Sequence, residues 1–212
     1  MMRKINLILI LFLISACHRK VKRIEMSYED KFELGCSYFK EKKYKKAAKI
    51  FEELIYESAG KSQMDIVEYY LAKSYFMMKQ YKKASSEYEF FLEHFSRSKY
   101  ADDAEFELAV CYYKMSPNVN LDQSLTKKAL RMFEKFIEKY PESKYVEDAK
   151  KYRIKCINKL AKKEIITAKF YMKQKKWKAA EIYLESVKRE FPESTLIPEV
   201  EKLLTICKKH GS

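Results

Sequence analysis

Apolar residues recur along this chain in blocks that return every 37 positions. The first block reads Phe32, Leu34, Gly35, Tyr38 and Phe39, then Tyr44, Ala47, Ala48 and Phe51. Tyr69, Leu71, Ala72, Tyr75 and Phe76 occupy the same frame, followed by Tyr81, Ala84 and Tyr88. A third copy begins with Phe106, Leu108, Ala109, Tyr112 and Tyr113, and its second half is delayed to Ala129 and Phe133. The fourth reads Ala168, Tyr171, Trp177, Ala180 and Leu184. Spacings of three and four within each half put these side chains on one face of a helix. The polar break between halves folds each block into a helical hairpin. A small residue on the first helix lets the second lie close, and aromatics fill the seam. One hairpin cannot bury its own apolar faces, so such units stack into a solenoid.

The pattern Leu-Gly/Ala-x-x-Tyr followed by Ala-x-x-x-Phe resembles the tetratricopeptide repeat. The expected fold is all-α, a tetratricopeptide-repeat α-solenoid of about four hairpins plus a C-terminal capping helix. Ser27 to Glu41 reads as the first helix, with Ser27 as N-cap and Asp30 in the first turn. Tyr44 to Glu57 is its partner, and Ala59-Gly60 breaks the chain. Ser62 to Lys79 and Tyr81 to Glu93 form the second pair, and Ser98 opens the third. Pro117, Asn118 and Asn120 interrupt that pair between Met115 and Thr126, and its second helix runs from near Ser124 to Tyr140. Ser143 to Lys173 holds no glycine or proline and reads as one long helix or two nearly collinear ones. Lys175-Lys176 carry a turn, Trp177 to Glu190 returns, and Leu196 to Lys208 is a last helix that caps the apolar end. The expected divisions are 1–16 as signal peptide, 17–27 as tether, 28–194 as solenoid and 195–212 as cap and tail.

Composition agrees with a helical repeat. Among 212 residues there are three glycines, four prolines and 17 tyrosines, and 35% are charged. The net charge of +14 raises the question of nucleic acid, but lysines are spread over every helix and mostly alternate with glutamates. That reads as a solvated surface, and no segment matches a nucleic-acid-binding motif.

The N-terminus carries an address. Arg3 and Lys4 precede an apolar-dominated run from Ile5 to Ile14, too short for a transmembrane helix, which needs about 20 residues. Ser15-Ala16-Cys17 then resembles the bacterial lipobox, which implies cleavage after Ala16 and a diacylglyceryl group on the Cys17 sulfur. The residue after the cysteine is His18 rather than aspartate, which by the same resemblance favours the outer membrane. Two or three acyl chains anchor far more firmly than one. Arg19, Lys20, Lys22 and Arg23 make the tether basic.

Catalytic chemistry finds no support. His18, His94 and His210 are far apart, and no His-x-x-x-His, Cys-x-x-Cys or glycine-rich phosphate loop exists, so neither metal nor cofactor is expected. Asp102-Asp103 sit at a helix start, where the dipole accounts for them. Cys36, Cys111, Cys156 and Cys207 read as separate thiols.

The stretch from Leu121 onward is more specific than a generic repeat. It contains Asp122-Gln123-Ser124, Tyr140-Pro141-Glu142-Ser143-Lys144-Tyr145, Leu160-Ala161, Ala168-Lys169-Phe170-Tyr171-Met172-Lys173 and Ala179-Ala180 in order. With the lipobox, this resembles the BamD lipoproteins of the outer-membrane β-barrel assembly machinery. The family pattern usually completes a fifth hairpin, whereas a single helix follows the fourth here. The resemblance implies a periplasm-facing adaptor that binds the barrel protein BamA and receives unfolded outer-membrane proteins. The alternative is another envelope repeat lipoprotein that scaffolds peptidoglycan-related complexes. Two candidate surfaces follow. Phe32, Tyr69 and Phe106 form one aromatic row and Phe39, Phe76 and Tyr113 a second, with Lys40, Lys73 and Lys114 beside them to meet a peptide carboxylate. Lys155, Lys159, Lys162 and Lys163 share a broad basic face suited to an acidic partner.

Overall fold

The computed structural model describes residues 26–57 and 63–211. Those residues form nine α-helices and no strand: α1 (Tyr28–Lys40), α2 (Tyr44–Glu57), α3 (Met64–Met77), α4 (Tyr81–His94), α5 (Ala101–Met115), α6 (Ser124–Lys139), α7 (Val146–Lys173), α8 (Trp177–Glu190) and α9 (Ile197–Gly211). Each helix packs mainly on its neighbours in sequence, and α3 also meets α5, as α5 meets α7. The first helices of successive hairpins therefore stand side by side, which is the solenoid expected from the repeat.

Local chemistry sets the ends of the elements. Ser27 caps α1 through a reciprocal box, its Oγ accepting from the Asp30 amide at 3.0 Å while Asp30 accepts from the Ser27 amide. Three hairpin turns use one device. Lys42, Lys79 and Lys175 have φ of 60°, 60° and 57°, the left-handed conformation that ends a helix. In each, the next amide reaches back five residues: Lys43 to Tyr38, Gln80 to Tyr75 and Lys176 to Tyr171, at 2.8, 2.9 and 3.0 Å.

The joints between hairpins repeat as well. Ser98, Ser143 and Ser194 each donate an amide hydrogen bond to an aromatic residue three positions earlier, Phe95, Tyr140 and Phe191. Each serine hydroxyl then donates to the first helix of the preceding repeat: to Asp65 at 2.6 Å, Asp102 at 2.8 Å and Asn158 at 2.8 Å. The dipole reading of Asp102-Asp103 is thereby enlarged. Asp102 accepts the Ser143 hydroxyl, and Asp103 accepts the Tyr145 hydroxyl at 2.6 Å and pairs with Lys144 at 3.0 Å.

Packing falls into two cores. One runs from Tyr28 to Cys156, and the other gathers Ala161, Ile165, Ala168, Ala180, Leu184, Val187 and residues of α9. Between Ser143 and Lys173 the chain makes one continuous 28-residue helix, α7, which contributes to both. α9 lies on α8 and buries Val200, Leu204 and Cys207. Small residues sit where helices come closest: a Cβ on Gly35 would lie 2.9 Å from the Phe51 ring.

Candidate binding surfaces

The first aromatic row is largely interior. Tyr69 is 5% and Phe106 is 7% exposed. Tyr69 stacks on Tyr100 with centroids 4.5 Å apart, and Phe106 stacks on Tyr145 at the same distance. These two are core residues, a correction to the expected exposed row. The partner in each case comes from the Ser-x-Tyr joint one hairpin further on, and covering the ring removes apolar area from water. Phe32 is half-buried against the same core.

The second row sits at the hairpin seams. Phe39 meets Tyr44 and Tyr70 edge-on at 5.3 and 5.1 Å, and Phe76 meets Tyr81 and Tyr88 at 5.9 and 6.4 Å. Tyr113 meets Tyr152 at 5.2 Å. All three keep part of the ring accessible. Lys40 and Lys114 are exposed. Lys73 differs: it pairs with the buried Glu107, which also accepts the hydroxyl of the fully buried Tyr88. This network ties α3, α4 and α5 together and occupies a cation that was expected to face the groove.

The basic face of α7 is only partly free. Lys159 donates to the Ser116 hydroxyl at 2.7 Å and its carbonyl at 3.2 Å, and Lys163 donates to the Leu121 carbonyl at 2.8 Å. Burial lowers the pKa of Lys159. These two lysines hold the insertion between α5 and α6 against α7. Inside that insertion the buried Gln123 donates to the Asn118 and Leu121 carbonyls and accepts from Thr126. Lys155 lies 4.7 Å from the centroid of the Tyr152 ring, and Lys155 and Lys162 remain exposed. Cys17 lies outside the described residues.

Other features were not anticipated. Phe170 on α7 is 56% and Ile182 on α8 is 69% exposed, leaving apolar groups on the distal half. Glu68 is buried on α3 within Ile66-Val67-Glu68-Tyr69-Tyr70-Leu71. A carboxylate inside so apolar a run was the available signal. Burial, reinforced by Glu87, pushes its pKa up to about 7, and His94 opposes this. Burial also raises the Cys111 and Cys156 thiols to about 12, which makes them poor nucleophiles.

No helix among the described residues is long and apolar enough to cross a membrane. Comparison with curated proteins gave no match. The outer membrane lipoprotein family YfiO matches residues 24–210, which takes in every helix through α8 and nearly all of α9. With that match lying on a stack of helical hairpins, the chain belongs to the YfiO family of outer membrane lipoproteins.

Proposed function

We propose that this lipoprotein is an adaptor of the β-barrel assembly machinery, acting by binding rather than by chemistry. The observation that carries the reading is the family match over residues 24–210 on a hairpin solenoid. Cys17 would supply the lipid anchor in the outer membrane, leaving the solenoid in the periplasm. A BamA-like barrel protein would dock on the distal half, where Lys155, Lys162, Ile182 and Phe170 are exposed. Segments of unfolded outer-membrane proteins would lie along the proximal half, over the seam aromatics Phe39, Phe76 and Tyr113, with Lys40 and Lys114 placed for a carboxylate.

Affinity capture of the full-length protein from solubilised outer membranes tests this. A BamA-like barrel protein should be the dominant partner, and its yield should fall when Lys155 and Lys162 are both changed to glutamate. Capture dominated by peptidoglycan-modifying proteins, with no barrel protein, would favour the envelope-scaffold alternative and refute the assembly reading. Replacing Cys17 with serine should release the protein from the outer membrane.

A further inference from the structure

A cleft of about 470 Å³ opens between α2 and α4, with α3 as its floor. Tyr56, Phe90 and Leu71 give it apolar and aromatic walls, and Glu52, Glu68 and Glu87 bring three carboxylates to it. Tyr56 is 89% and Phe90 42% exposed, so two rings stand at the mouth. Glu68 is the unusual member. It is only 2% exposed, and its Oε2 has no hydrogen-bond partner among the described residues. Buried carboxylate oxygens are almost always satisfied, because desolvating one without a partner is costly. Glu52 by contrast already accepts the Tyr75 hydroxyl.

We propose that this cleft receives an arginine side chain from a polypeptide partner, its guanidinium meeting Glu68 between the Tyr56 and Phe90 rings. Three features favour that occupant. The volume far exceeds a bare ion, and no three His, Cys, Asp or Glu side chains among the described residues, these carboxylates included, are placed to hold a metal ion. Apolar walls suit the methylene stem of arginine, whose planar head stacks on aromatic faces and forks onto carboxylates. The acidic lining also stands out locally on a chain of net charge +14, so the charge match is with a cation. Burial holds the Glu68 carboxyl up at about 7, so the empty cleft avoids a full buried charge, and a bound cation would draw the proton off. The inference goes beyond the adaptor role and does not depend on which machinery the protein serves.

The test uses the full-length protein in detergent micelles, observed through the Ile55 and Leu71 methyl resonances, which report on the cleft. The probe is the blocked tripeptide Ala-Arg-Ala, with the citrulline tripeptide as its neutral isostere. The arginine peptide should shift both methyls saturably, and the citrulline peptide should bind at least tenfold more weakly. Glu68→Gln should weaken arginine binding about tenfold. Tyr56→Ala, at an exposed position that folding does not need, should weaken it several-fold. Equal binding of the two peptides, or arginine binding unchanged in both variants, would overturn the proposal. Putrescine binding as tightly as the arginine peptide would overturn the guanidinium assignment.

Discussion

Ser143 donates its hydroxyl to Asp102 across 41 positions of chain, and Ser98 does the same to Asp65 across 33. The same contact thus fastens consecutive hairpins. An aromatic ring accompanies it each time, Tyr145 over Phe106 and Tyr100 over Tyr69, with interplanar angles of 9° in both. A hydrogen bond to a charged group is worth roughly 1.5–3 kcal/mol. Ser143→Ala and Asp102→Ala should each cost about 1–2 kcal/mol in urea unfolding. Their double variant should lose clearly less than the sum. Additive losses would show that the pair is not a coupled joint.

Stability should fall as pH rises from about 4.5 to 7. Glu68 has its folded pKa raised to about 7 from an ordinary 4.5, so folding favours its protonated form. That contribution is complete below the unfolded pKa and is lost as pH climbs through the folded one. A shift of this size corresponds to on the order of 3 kcal/mol. The groups facing it are Glu87 and His94 of α4, and Glu52 of α2 lines the same cleft. Thermal melts at pH 5 and pH 8 should therefore differ, and Glu68→Gln should raise stability at pH 8 and flatten the slope. An unchanged slope would remove Glu68 as its source.

Lys79→Gly should stabilise the protein by about 1 kcal/mol. Its φ of 60° strains a residue with a Cβ, whereas glycine adopts that conformation freely. For a chain of this length the melting temperature should rise by roughly 2–4 °C. The same substitution at Lys82, which has helical backbone in the first turn of α4, should lower it.

Phe106→Ala should cost about 3–5 kcal/mol, the range for emptying a buried aromatic site. Phe39→Ala should cost less, since part of that ring is already accessible. If Phe39, Phe76 and Tyr113 contact cargo, their alanine variants should bind barrel-protein C-terminal peptides more weakly than their modest stability losses explain. Unchanged peptide affinity would place the cargo elsewhere.

The hairpins were legible because their spacing is local. Gly35, Ala72 and Ala109 share one frame, and so do the aromatics around them. The joints were harder to see. Ser98, Ser143 and Ser194 fall outside the 37-residue frame, since the insertion before α6 and the length of α7 displace them, and their partners lie 33 to 41 positions away. Helical spacing told which positions share a face, but not which face the next hairpin covers. Tyr69 and Phe106 therefore read as groove lining although their stacking partners make them core. The lysines of α7 misled for the same reason: spacing put Lys159 and Lys163 together, and the insertion then took both.

α7 gives the solenoid a property that stacked repeats do not have by themselves. In an array, each unit answers only to its neighbours, so strain fades from one to the next. Here the Cys156 and Ala161 ends of two cores are threaded on a single rod of about 42 Å. With no loop between the two cores along this helix, the distal hairpin and the proximal ones share one rigid element. Under the proposed function, α7 would carry the orientation of a partner docked on the distal hairpin to a chain bound along the proximal ones, as a lever does about a fixed shaft.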